Sequence, residues 1–394
     1  MARPRAKPTS DNTGEIQMKI TSVAAVLLKP WPWVLVKVRT DAGFTGIGEA
    51  YHGAGVHNIV IDPRLTERAL IGQDPRNVDK LFRDMKNSMS ASGFYQGAVM
   101  SAISGIETAL WDIAGQAMNV PIWQLLGGSF RDQIRVYNDC NEGEDADDPA
   151  SWAEKAKHVE ARGFDALKFD IDPRPTQRDR YNRTIRNADV AFFIDVVTAI
   201  RESLHPDTDL AIDAHWRYAP ADILKVAYAF EALDLLWLED PIPPENVAAL
   251  REVKTATRTP ICTGENLYTR HGFRELVEHQ AADIISPDLA KAGGLSEGRR
   301  IADLADTYYI PVAPHNICGP IGTIASCHAC AAMPNFHVLE FHHLDNELWN
   351  SMTVERDLIQ NGRINVPREA GLGVRLDESV VREATADEVG GFFD

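Results

Sequence analysis

Asp213, Glu239, Glu265, Asp288, His315 and Glu340 follow one another at nearly even intervals, and each lies in a short apolar run: AIDAH, LLWLEDP, ICTGEN, IISPD, VAPHN and VLEFH. Short apolar runs of this kind read as buried parallel strands. A repeated strand-then-helix rhythm closes into a (β/α)₈ barrel, whose strands deliver their C-terminal residues to one face. Three carboxylates, then an Asp, a His and a Glu at that mouth suggest a divalent-metal enzyme.

The same rhythm marks out the whole barrel. Strands are expected at IRVYND, ALKFDID, LAIDAHW, LLWLEDP, PICTGEN, DIISPDL, PVAPHN and HVLEFH, with helices such as SWAEKAKHVEARG and EGRRIADLADTYY between them. An open doubly wound sheet is the rival, but no GxGxxG opens the first unit. At 394 residues the chain exceeds a barrel of about 250 residues. Residues 1–16 read as a disordered arm without the apolar core of a secretory signal. Residues 17–132 read as an α+β domain: a meander turning near Asp41-Ala42-Gly43, then helices from Arg64 to about Met118. Residues 133–350 carry the barrel, and 351–394 form a tail that packs back on the first domain. The fold class is therefore α/β, a modified TIM-like barrel with an N-terminal capping domain completed by the C-terminal segment.

A net charge of −17 argues against nucleic acid as partner, though not against a small anion beside a bound metal. No apolar run is long enough to span a bilayer. The five cysteines, odd in number and without a framework, fit a reducing cytoplasm. Cys327 and Cys330 form a CxxC with no second pair, and read as buried helix residues rather than a zinc or redox site.

Asp213, Glu239 and Glu265 would repel one another without a cation, and hard cations such as Mg²⁺ prefer such oxygens. The plain alternative is three isolated charges at helix N-termini. Asp288 beside His315 would fix the imidazole tautomer and strengthen it as a base; the alternative is a structural histidine. Glu340 would meet a substrate oxygen as charge develops there, or form a rim salt bridge. His215 is expected on the same strand face as Asp213, positioned to protonate a leaving group, or else to pack. Lys168 and Asp170 share one face of the second strand. The lysine would act as a base or hold a carboxylate, or the two would pair inside the barrel.

LVKVRTDAGFTGIGEA, SAISGIETALWDIAGQ, LKFDID, DAHW, WLEDP, TGEN, SPDLAKAGG, APHN, NFHVLEF and VPREAGLG together resemble the mandelate racemase-like branch of the enolase superfamily. The resemblance implies Mg²⁺ on Asp213, Glu239 and Glu265, with the ion holding a substrate carboxylate. It implies His315 as base, oriented by Asp288, with Glu340 on a carboxylate oxygen. In the cap it implies two specificity loops. One holds Trp31, Pro32 and Trp33 with Tyr51 and His52; the other holds Phe94, Tyr95 and Gln96. It also implies a symmetric homo-oligomer. Racemases of this branch carry KxK on the second strand, but here the second lysine is replaced by Asp170. That departure, with His215 as general acid and LEFHH followed by Trp349, is most similar to acid-sugar dehydratases of gluconate or galactonate type. The reaction expected is dehydration of a sugar acid to a 2-keto-3-deoxy acid. An epimerase or racemase, a cycloisomerase, or a catalytically silent binding protein on the same scaffold are the other readings.

Overall fold

The computed structural model describes residues 17–92, 96–171 and 183–394. The expected arm at 1–16 lies outside them, as do Phe94 and Tyr95.

The cap is built on an antiparallel sheet. Strands β1 (Ile20–Leu28), β2 (Val34–Thr40) and β3 (Thr45–Ala50) form a meander. The β2–β3 turn passes through Gly43 at φ 82°, where a side chain would be strained. The helix Gly97–Met118 lies on this sheet. A Cβ at Gly46 or Gly48 would run into the carbonyls of Ala109 and Gly105, so the alternating glycines of TGIGEA let helix and strand meet backbone to backbone. Helical structure begins earlier than Arg64, at Ala54–Val60. That segment carries glycine and β-branched residues, whose weak helix propensity hid it.

The barrel strands are β4 (Gln133–Asp139), β5 (Ala166–Asp170), β6 (Asp209–Asp213), β7 (Trp237–Glu239), β8 (Ile261–Thr263), β9 (Ile284–Ile285) and β10 (Leu339–Phe341). They pair in parallel from β4 through β9, and β10 returns to β4. The gap between β9 and β10 is closed by single bridges from Val312 to Ile285 and Phe336. This seventh strand is reduced because Pro311 and Pro314 flank Val312-Ala313 and offer no N–H to a ladder. Strand β11 (Arg363–Asn365) runs antiparallel on β4, and β12 (Thr385–Val389) antiparallel on β1, so the tail touches both sheets.

One inward residue from each barrel strand forms a closed apolar layer: Tyr137, Ala166, Ala211, Trp237, Cys262, Ile284, Ala313 and Val338. Two large rings fill the centre among small neighbours, with Tyr137 edge-on to Trp237 at 5.5 Å. This layer is the floor of the site. Above it β4 to β8 end in the polar residues Asp139, Asp170, Asp213, Glu239 and Thr263.

Two buried cap carboxylates reach the other side of that site. Glu49 accepts from Gly319 N and Gly322 N, at the start of the Pro320–Ala332 helix. Glu107 accepts from Leu295 N and Ser296 N, at the start of the Gly294–Asp306 helix. Each anion sits where the free N–H groups and the helix dipole favour it. These two helices follow the segments that end in His315 and Asp288. The cap thus grips the two βα units that carry the expected base.

Candidate active site

Lys168 stands at the centre of the polar layer, 1 % exposed. Its Nζ lies 3.2 Å from Asp139 Oδ2, 3.2 Å from Asp213 Oδ2, 3.1 Å from Glu239 Oε2 and 2.7 Å from Glu340 Oε1. Burial would strip its proton, but Glu239 and Glu340 outweigh it and hold the ammonium well above its ordinary range. The same contacts act on Glu340. Burial resists its charge, while Lys168 and His315 hold it well below the usual carboxylate range.

The carboxylate oxygens of Asp213, Glu239 and Glu265 lie within 4.8 Å of one another, all three residues buried. Trp237 Nε1 donates to Glu239 Oε2, whereas Glu239 Oε1 is buried without a hydrogen-bond partner. Burial and the neighbouring carboxylates push Glu239 up to about 8, against the pull of Lys168. An orphaned oxygen inside an all-oxygen donor set is what a hard divalent cation satisfies. These residues fit the metal that the sequence implies. Two other groups have metal-like spacing, Asp170–Asp213–His215 and His315–Glu340–His342. Each includes an imidazole, a softer donor than the three carboxylates.

His315 Nδ1 lies 2.7 Å from Asp288 Oδ2, and its Nε2 lies 3.1 Å from Glu265 Oε2 and 3.7 Å from Glu340 Oε2. The Asp288 carboxylate fixes Nδ1–H, leaving Nε2 toward the carboxylate cluster. Burial works against the imidazolium, but Glu265, Glu340 and Asp288 overcome it and raise His315 to about 10. A neutral base near pH 7 therefore needs some of that negative charge offset.

His215 reaches the opposite side by a route the alternation of a strand does not describe. Strand β6 stops at Asp213, and His215 and Trp216 follow with left-handed φ of 42° and 55°. Two successive non-glycine residues in that region store strain of the kind found at functional sites. Asp213 Oδ1 accepts His215 N at 2.8 Å, and His215 Nε2 stands 3.7 Å from Asp213 Oδ2. Asp170 lies beside them, its Oδ1 buried without a partner. Burial and then Asp139 and Asp213 raise its carboxyl well above the usual range.

The cap residues divide. Tyr51 faces the site: its phenol is raised by burial, then by Asp288 and Glu265. The His52 ring lies tilted against Tyr51 with centroids 4.0 Å apart, and burial lowers its imidazole against the pull of Asp288. Trp33 is buried and donates to Ile317 O, bracing the segment after His315. Gln96 is exposed at the start of the long cap helix. All five cysteines are buried and unpaired by disulfides.

Sequence reasoning passed over Asp139, Asp240, Glu49, Glu107 and Lys291. Asp139 ends β4 just as Asp213 ends β6, so strand-end position was the available signal. Asp240 is buried and accepts the Thr263 hydroxyl proton; WLEDP carries two adjacent acids, and strand-end position alone does not separate them. Nothing local in the sequence distinguishes Glu49, Glu107 or Lys291, whose roles arise across domains or between loops.

Residues 151–380 match the enolase C-terminal domain-like family, and residues 9–127 match the mandelate racemase/muconate lactonizing enzyme N-terminal domain. The chain is 43 % identical over 378 residues to a D-xylonate dehydratase of Haloferax volcanii, covering 95 % of this chain and 90 % of that one. It is 32 % identical to a D-galactonate dehydratase of Ralstonia pickettii, covering 94 % and 95 %. A solved mandelate racemase/muconate lactonizing enzyme-like protein from Rubrobacter xylanophilus superposes with a TM-score of 0.88 at 42 % identity, covering 94 % and 98 %. Among the described residues, no helix is long and apolar enough to cross a membrane. With a four-stranded cap, a barrel of seven βα units and a closing strand, and both domain matches, the chain belongs to the mandelate racemase/muconate lactonizing enzyme branch of the enolase superfamily.

Proposed function

We propose that this protein is a hydro-lyase that dehydrates a sugar acid to a 2-keto-3-deoxy acid. The observation that carries the reading is the pair of imidazoles on either side of the carboxylate cluster: His315 against Glu265 and His215 against Asp213. The names of the relatives, dehydratases of xylonate, galactonate and gluconate, support it.

Asp213, Glu239 and Glu265 would hold the cation, and their all-oxygen set favours Mg²⁺. When bound, the cation supplies positive charge for the substrate carboxylate and lowers the cost of ionising the adjacent carbon. His315 Nε2 takes the C2 proton, with Asp288 holding the imidazolium that forms. His215 gives its proton to the C3 hydroxyl, which leaves as water. The resulting enol tautomerises to the keto acid. Lys168 holds Asp213, Glu239 and Glu340 in register around the place where the substrate carboxylate would meet the cation. Asp170, in place of the second lysine of the racemases, argues against their two-base racemisation. Tyr51 and His52 contact the polyol chain, and Trp33 acts by bracing Ile317.

A panel of aldonates and aldarates with Mg²⁺, assayed for semicarbazide-reactive keto acid, tests the reaction. His215→Asn separates its steps. It should exchange C2–H with deuterated solvent while forming no keto acid, whereas His315→Asn should do neither. Folded, Mg²⁺-bound protein without turnover across the panel would sink the reading.

A further inference from the structure

The site holds a second buried lysine. Lys291 follows Asp288 in a tight turn, with its backbone N–H on Asp288 O, and is 4 % exposed. Its Nζ donates to Asn266 Oδ1 at 3.0 Å and sits 4.5 Å from the centre of the Tyr51 ring. Asn266 directly follows Glu265, and Tyr51 comes from the cap. Lys291 is thus placed where the metal triad, the His315–Asp288 pair and the cap converge.

The two lysines differ in what satisfies them. Lys168 has four carboxylate oxygens within 3.2 Å for its three N–H groups. Lys291 has one neutral amide oxygen and an aromatic face, and no carboxylate within 4.0 Å among the described residues. A buried ammonium with two donors to spare is costly unless something completes it.

We infer that Lys291 is a substrate-binding residue that donates to a hydroxyl oxygen of the sugar-acid chain on the His315 side of the reacting carbon. This rests on the sugar-acid reading above. A hydroxyl suits the position better than a second carboxylate. Asp288 and Glu265 already bear on the Tyr51 hydroxyl next to it, so a further anion would enter a negative field, while a neutral acceptor would not. Asn266 holds the lysine from the barrel and Tyr51 covers it from the cap, so one hydroxyl would be read by both domains.

The test is equilibrium binding in Mg²⁺, using the inactive His315→Asn protein and a set of monodeoxy aldonates. A hydrogen bond from a charged donor predicts that Lys291→Met weakens the parent aldonate about 10- to 100-fold. One deoxy position should weaken binding to the lysine protein by a similar factor and leave the methionine protein indifferent. Lys291→Arg should recover part of the loss. Equal loss for every deoxy compound would make the lysine merely structural and overturn the inference, as would no loss, or no aldonate binding to either protein. A preference for aldarates that vanishes with the lysine would overturn the hydroxyl assignment. Turnover is scored separately in the parent enzyme. Lysine-dependent binding without turnover would sink the dehydratase reading alone, and turnover indifferent to Lys291→Met would sink this one alone.

Discussion

His328 offers a stability prediction that can be worked through to a number. It lies wholly buried in the Pro320–Ala332 helix, beside the cap linker and the C-terminal segment. Its Nε2 donates to Leu372 O at 2.9 Å, and its Nδ1 accepts Trp123 N at 3.4 Å. Both nitrogens of a neutral ring are used, so there is no place for a second N–H. Burial lowers the imidazole from 6.5 to about 4. A depressed folded value means the stabilising contribution is present above 6.5 and is lost as pH falls toward 4. The full linkage is about 3 kcal/mol, and at pH 5 about 2 kcal/mol of it has gone.

Acidification moves other groups the opposite way, so the measurement must be a difference. Burial raises Glu49 and Glu107 to about 7 and Asp112 to about 6. Their contributions grow as pH falls through those values. His328→Gln keeps a donor for Leu372 O and cannot titrate, so the other groups cancel in the comparison. The variant starts less stable at pH 7.5, because Trp123 N–H loses its acceptor. Thermal melting at pH 7.5 and pH 5.0 should bring the two midpoints closer by on the order of 4 °C. Midpoints that fall in parallel would mean that His328 is charged in the folded protein, refuting the account of its surroundings.

Four other outcomes are expected. Removing divalent ions with a chelator should abolish turnover, with Mg²⁺ restoring it and raising the melting midpoint; Asp213→Asn should lose that rise. Lys168→Met should cost about 3–5 kcal/mol without Mg²⁺, because four buried carboxylates lose their counter-charge, and added Mg²⁺ should recover part of the loss in a urea titration. In metal-free protein the His315 imidazole should titrate near 10 by nitrogen NMR and move down on adding Mg²⁺, since offsetting nearby negative charge favours the neutral ring. Glu49→Ala should lower kcat more than it changes KM, with Glu49→Gln in between, because one acceptor for the Gly319 and Gly322 amides survives in glutamine.

Strand ends were the legible part of this chain. A short apolar run that stops at an acid or histidine marks a barrel strand and its chemical residue together. Asp213, Glu239, Glu265, Asp288, His315 and Glu340 come together for that reason. Reading failed where the chain leaves regular structure. His215 gains its position from two left-handed residues after β6, which no alternation pattern encodes. The seventh strand shrinks to a bridge because its prolines cannot donate. Glu49 and Glu107 stayed invisible as site supports because their partners are backbone amides of helices in another domain, and an amide N–H carries no residue identity.

The acidity of this protein and its expected anionic substrate are reconciled locally. Among the described residues, Lys168 and a protonated His315 face the five carboxylates Asp139, Asp213, Glu239, Glu265 and Glu340, so the barrel mouth is still short of positive charge. Such a cluster cannot remain fully ionised in a low-dielectric interior. It must take up protons or a cation. Glu239, raised to about 8, marks the first course in the absence of metal. A bound cation would turn the same deficit into a binding force and would offer charge with which a carboxylate can pair. It would also weaken the hold of the carboxylates that keep His315 protonated. One deficit therefore links metal affinity, anion binding and the readiness of the base. Weakening it by Glu265→Gln should impair all three together, while a change confined to metal affinity would break the link.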